Sequence, residues 1–266
     1  MKTLSSMRVE LTDGLAIVSL AQPARGNPFD GEFTREFKQV ALDLWDRREA
    51  GELRAVLLRA DGVNFSFGGD LKSFYPVRDK LAPLVRQWTG DLHMGLQRFW
   101  HLPVPVVTAV QGFAMGGGTA LLAGCDVVLA GQSARIGSAF AGIGFSCDSG
   151  TSVTLTARMG PARARRFVLM AEVLGSEEAL ATGLVDKIVA DDKLQDEALA
   201  LAQRLAGGPT LAYGEIKRLF LRAGTAHLES VLEDEAQTLA RVSASADAQE
   251  GIAAMTERRK PVFQGR

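Results

Sequence analysis

The sequence predicts an α/β fold with a helical C-terminal region. Short apolar runs bounded by turn residues alternate with segments of helical periodicity as far as Val189, and beyond it only helical periodicity remains. No internal repeat or low-complexity linker interrupts the 266 residues, so a core over 1–190 and a helical region over 191–266 are expected.

Met7 to Leu11 and Leu15 to Leu20 read as strands joined at Asp13-Gly14, a hairpin dipeptide that reaches positive φ cheaply. From Gly31 to Arg48, Phe33, Phe37, Val40, Ala41, Leu44 and Trp45 recur at helical spacing. Arg54 to Arg59 encloses Ala55-Val56-Leu57-Leu58, the pattern of a strand buried on both faces. A helix at about Leu84 to His101 leads into a strand at Val104 to Val110, then a short helix at Thr119 to Leu122 and a strand at Asp126 to Ala130. Two helices fill Ser149 to Met170 around Gly160-Pro161. Helices near Lys193 to Leu205, Leu211 to Arg222 and Leu228 to Val242 follow, then a basic tail from Arg258. This region reads equally as a cap on the core or as an oligomerisation surface.

The 30 basic and 31 acidic side chains nearly cancel, so no basic field points to nucleic acid. No charge occurs between His101 and Asp126, but Pro103, Pro105 and the triplet Gly116-Gly117-Gly118 break any continuous membrane helix there. Cys125 and Cys147 have neither disulfide-scaffold density nor metal-site spacing, so a reducing compartment and no metal are expected. Met1 to Glu10 has no apolar run of signal-peptide length, and the expected location is the cytoplasm.

Two glycine-bearing loops each follow a buried strand: Asn64 to Lys72, with Gly68-Gly69, and Gln111 to Ala120, with the triplet. Glycine lets a ligand approach the backbone, and an amide at a helix start has no acceptor of its own. Neither loop has the phosphate-loop pattern, and Leu121 stands where Gly-x-Gly-x-x-Gly needs its last glycine.

The runs Ala55 to Phe74, Pro105 to Ala130, Ile143 to Gly160, Ser176 to Val189 and Glu250 to Phe263 resemble, in order and spacing, the crotonase (enoyl-CoA hydratase/isomerase) family. The resemblance covers essentially the whole chain and implies a spiral of ββα turns with a helical C-terminal region, assembled as a homotrimer or homohexamer. Gly69 and Gly117 match the family residues whose amides hold the thioester oxygen of an acyl-CoA. Coenzyme A enters with the substrate, so no separate cofactor is implied. The glutamates that activate water in the family's hydratases fall at Ala120 and Phe140, which can move no proton, so hydration is disfavoured.

Asp148 matches the sole aspartate base of the isomerase-like members, which shift a double bond from C3 to C2. Read without the family, Asp148 before Ser149-Gly150-Thr151-Ser152 is equally a helix N-cap. Asp148-Ser149-Gly150 also suggests a nucleophilic serine, but His93, His101 and His227 lie far off in sequence and read as surface or packing residues. A rival resemblance is to chlorobenzoyl-CoA dehalogenase, whose aspartate is a nucleophile; its tryptophan falls at Phe140 and its catalytic histidine aligns with Gln97. The resemblance further implies coenzyme A contacts at Arg25, Gly68, Lys260 and Phe263, with Lys72 a weaker candidate. Met115, Phe140 and Phe145 suggest an apolar acyl pocket. A catalytically silent acyl-CoA-binding protein and an RNA-binding member are the non-enzymatic alternatives.

Overall fold

The computed structural model describes residues 4–224 and 227–266. Its main sheet has six strands in the order Met7–Thr12, Leu15–Leu20, Ala55–Ala60, Val106–Val110, Val127–Gly131 and Lys187–Val189. The first pair is the antiparallel hairpin expected at Asp13-Gly14, with Thr12 opposite Leu15. All later pairs are parallel, so each needs a crossover.

Each crossover adds a short second strand and then helix. Leu15–Leu20 is followed by Pro28–Phe29 and the helix Gly31–Glu49; Ala55–Ala60 by Gly68–Gly69 and the helices Leu71–Phe74 and Leu81–Trp100. Val106–Val110 is followed by Phe113–Met115 and the helix Gly117–Ala123; Val127–Gly131 by Arg135–Gly137 and the helices Thr151–Met159 and Pro161–Leu169. The short strands stack in turn: Pro28–Phe29 pairs with Gly68–Gly69, Ser66 bridges to Ala114, and Phe113–Met115 pairs with Arg135–Gly137. This is the spiral of ββα turns that the sequence implies.

Strand alternation divides the interior. Val56 and Leu58 face a large core shared with Phe33, Phe37, Leu44 and Phe99, while Ala55 and Leu57 face a smaller one closed by Leu194, Ala198, Ala202 and Ala206. The helix Leu194–Ala206 therefore lies across the sheet that the preceding residues build. The segment between His101 and Asp126 divides into a strand, a turn and a short helix. Among the described residues, no helix is long and apolar enough to cross a membrane.

Two features were not anticipated. The helix Ala246–Thr256 occupies a stretch without a strong apolar stripe and starts at Ser245, whose hydroxyl accepts from the Ala248 N–H at 3.1 Å. The basic tail folds back onto this helix, where buried Asp247 accepts from the N–H groups of Gln264 (2.6 Å) and Gly265 (2.7 Å).

The helices Gly31–Glu49 and Leu81–Trp100 cross so closely at Gly95 that a Cβ there would lie 2.9 Å from the Phe37 ring and 3.0 Å from the Lys38 backbone. An ion pair between Lys38 and Asp91 closes the same crossing. Gly95→Ala should force the helices apart, and thermal or denaturant unfolding should show a loss of about 1–3 kcal/mol.

Candidate active site

The site arises where the second and third turns of the spiral touch. Gly68 has φ +75°, and a Cβ on it would lie 2.6 Å from the Met115 carbonyl oxygen and 3.0 Å from the Gly117 nitrogen. Only glycine allows that approach with that backbone angle. The Gly68 N–H donates to the Ser66 hydroxyl at 3.0 Å, so it is engaged within the loop, and Gly69 follows it at the cavity edge. Gly116 has φ +51° and precedes Gly117, the first residue of its helix, whose N–H has no acceptor within that helix.

Gly69, Gly117 and Asp148 line one cavity of about 660 Å³ together with Phe140 and Phe145. The helix Leu81–Trp100 closes another side with Val85, Trp88, Thr89 and Leu92, which recur at helical spacing. Trp88 stacks on Phe74, ring centroids 5.4 Å apart. The walls are predominantly apolar, and among the described residues Asp148 is their sole carboxylate. Ala120, at one of the two positions where the family's hydratases carry glutamate, is fully buried, and Phe140, at the other, is a wall residue.

Asp148 is not the N-cap of the following helix, which corrects that reading. The cap position of Thr151–Met159 is Gly150, with φ +71° and no side-chain cap. Ser149 and Gly150 both take left-handed backbone angles, and a Cβ on Gly150 would lie 2.7 Å from the Trp100 ring. Among the described residues the Asp148 carboxylate accepts no backbone N–H; Oδ1 lies 2.6 Å from His93 Nε2, and Oδ2 lies 3.5 Å from the Ser149 hydroxyl.

His93 lies at the surface, as expected, with its side chain 52% exposed; what the sequence did not reveal is its partner, the Asp148 carboxylate. Leu92 lines the cavity and is buried, and His93 beside it reaches Asp148 across 55 positions of sequence. The signal that could have revealed it is the register of Val85, Thr89 and Leu92, which puts His93 at the edge of their stripe.

The remaining anticipated contacts lie off the cavity walls. The Met115 thioether packs over Gly137 rather than into the cavity. Arg25 joins Asp30 (2.8 Å) and Asp70 (2.6 Å), and these partners raise its pKa, the Asp70 hydrogen bond most strongly. Burial opposes ionisation of Asp70, but hydrogen bonds from Arg25 and Ser73 outweigh it and hold the carboxyl below its ordinary range. Arg25 thus ties the first-turn loop to the glycine loop, its charge already compensated. Lys72 and Lys260 are exposed, and Phe263 is half-buried on the tail beside Gly251. Among the described residues no cluster of His, Cys, Asp and Glu could hold a metal ion.

Cys147 is exposed and lines the cavity, whereas burial pushes the Cys125 thiol up to about 12. A thiol reagent at pH 8 should modify Cys147 in the native protein and both cysteines in denaturant. Saturating acyl-CoA should slow the native reaction; titration of released chromophore checks both expectations.

Residues 10–266 match the family described as enoyl-CoA hydratase/isomerase. A Rhodobacter capsulatus protein named "Probable enoyl-CoA hydratase" is 35% identical, with 98% of each chain covered. The 1,2-epoxyphenylacetyl-CoA isomerase of Escherichia coli is 33% identical, with 95% of this chain and 96% of that one covered. The crystal structure of an enoyl-CoA hydratase from Polaromonas sp. JS666 superposes with a TM-score of 0.90 at 26% identity, covering 97% of this chain and 100% of the other. The matched span, the spiral and the meeting of the glycine loops agree: this chain belongs to the enoyl-CoA hydratase/isomerase family.

Proposed function

We propose that this member of the family moves a double bond from C3 to C2 of an enoyl-CoA, with Asp148 as its single acid/base. The observation that carries this reading is that, among the described residues, Asp148 is the sole carboxylate on the walls of the cavity it shares with Gly69 and Gly117. Water addition by two carboxylates lacks its residues, since Ala120 and Phe140 stand in their places.

The thioester oxygen is held by the N–H groups of Gly69 and Gly117. Asp148 removes a proton from C2, the electron pair spreads over the dienolate, and negative charge collects on that oxygen. The same carboxyl then returns the proton at C4. Preorganised donors aimed at such an oxygen contribute about 3 kcal/mol each, and a positioned acid/base about 10²- to 10⁴-fold. The apolar wall formed by Phe140 and Phe145 accommodates the acyl group. The Escherichia coli relative is named for isomerisation of an epoxide, a different rearrangement of an acyl-CoA, while the Rhodobacter capsulatus name points to hydration. The test is to give purified protein 3-hexenoyl-CoA and, separately, 2-hexenoyl-CoA. Appearance of the conjugated thioester absorbance from the first, without its disappearance from the second, supports the isomerase; rapid loss from the second sinks it.

The contact between His93 and Asp148 favours a second reading, in which Asp148 attacks an aryl ring carbon of a halogenated aroyl-CoA, halide leaves, and His93 activates water to cleave the resulting ester. Halide release from 4-chlorobenzoyl-CoA would select it. We also read the apolar residues exposed on the C-terminal helices, Phe220, Leu239 and Met255, as a subunit surface of a trimer or hexamer; native mass in solution decides this.

A further inference from the structure

The two oxygens of Asp148 have different surroundings. Oδ1 lies 2.6 Å from His93 Nε2, while Oδ2 has the Ser149 hydroxyl at 3.5 Å, the limit of hydrogen-bonding range. An ionised carboxylate has no proton to give, so with Asp148 in the form that accepts a proton, His93 Nε2–H must be the donor. Such a charge-assisted bond is among the stronger kinds.

The donor is held from behind. Gly95, two residues beyond His93, is packed against Phe37 and the Lys38 backbone, and Lys38 pairs with Asp91 two residues before it. The turn of helix that carries His93 is therefore pinned to its neighbour on both sides of the imidazole. On the other partner, the left-handed backbone at Ser149 and Gly150 sets how the loop carries Asp148. With the backbone set on both sides, the side-chain torsions of Asp148 remain, and the contact with His93 Nε2 restrains them at Oδ1.

We propose that His93 is the positioning residue for Asp148: Nε2–H holds Oδ1 so that Oδ2 is the oxygen that takes and returns the substrate proton. The inference rests on the isomerase reading above and assigns a division of labour between the two oxygens. A base that serves both C2 and C4 benefits from one oxygen held facing the plane of the dienolate, since misorientation between the two transfers slows each of them. His93 touches neither carbon; it acts through Asp148.

The side chains of His93 and Asp148 are 52% and 37% exposed, so removing the imidazole strands no buried polar group and the variant folds. The experiment measures kcat and KM with 3-hexenoyl-CoA, and Kd for unreactive hexanoyl-CoA, in wild type, His93→Ala and His93→Gln. His93→Ala is also placed in the Asp148→Asn background. The expected result is a kcat lowered about 10- to 50-fold in His93→Ala, with KM and hexanoyl-CoA binding within about twofold of wild type. His93→Gln, whose amide can donate from a similar place, should recover to within about fivefold of wild type. With Asp148 already replaced, His93→Ala should cost almost nothing further.

An active wild type with an indifferent His93→Ala overturns this proposal and leaves the isomerase standing. So does a His93→Ala loss of equal size in the Asp148→Asn background. A wild type that does not isomerise at all overturns the isomerase and this inference together.

Discussion

Asp148→Asn should lower kcat for isomerisation by about 10²- to 10⁴-fold while leaving acyl-CoA affinity close to wild type. The amide is nearly the same size as the carboxylate, so the cavity keeps its shape. It still offers an oxygen to His93 Nε2–H, but it cannot take the C2 proton. Because the carboxylate caps no helix, the substitution removes no stabilising N-cap, and the melting temperature should change little. Steady-state kinetics beside thermal unfolding checks both halves. A folded variant that isomerises at the wild-type rate would place the proton transfer elsewhere.

The second large effect is expected at Gly117→Ala. A Cβ at this position would lie 2.8 Å from a carbon of the Phe29 ring, with Phe33 stacked 4.0 Å behind it between centroids. The ring has little room to yield, so the start of the helix Gly117–Ala123 must shift and carry its N–H with it. Loss of one donor from an oxyanion site typically costs about 10²- to 10³-fold in kcat. Ground-state binding should suffer less, because the ground-state carbonyl carries less charge than the enolate oxygen. The readout is the split between kcat and KM, together with unfolding to separate a moved amide from a loosened core. Equal losses in binding and turnover would mean that Gly117 shapes the cavity without serving the charge that develops.

Much of the fold was legible because it rests on long periodic segments. The stripe Phe33, Phe37, Val40, Leu44 announces its helix, and Ala55 to Leu58 announces a strand with a core on each face. The stacked strands that complete each turn are two or three residues long and hold together by pairing with one another, so no local pattern marks them. The glycine loops were visible as loops, and Asp148 as a carboxylate of uncertain duty. What the local pattern at Asp148 could not show was the left-handed backbone at Ser149 and Gly150, which puts Gly150 rather than Asp148 at the helix cap.

His93 and Arg25 illustrate the same limit from opposite directions. His93 looked idle because its partner is 55 positions away and the pairing exists only once two turns of the spiral are stacked. Arg25 was implied as a coenzyme A contact, and in the structure it pairs with Asp30 and Asp70, of which Asp70 comes from a different turn. In each case the side chain was evident from the sequence, and the neighbour that decides its use was supplied by tertiary structure. The coenzyme contacts anticipated at Lys260 and Phe263 lie on a tail anchored by Asp247, off the walls of this chain's own cavity.

The most direct test of a single carboxylate working on both carbons is to follow hydrogen from one to the other. With 3-hexenoyl-CoA carrying two deuterons at C2, turnover in ordinary water and mass and NMR analysis of the product should reveal deuterium at C4 in a measurable fraction of molecules, carried there by Asp148. Product formed with every removed deuteron lost to solvent and none at C4, at a rate that Asp148→Asn does not lower, would contradict the account, because the two transfers would then not pass through Asp148.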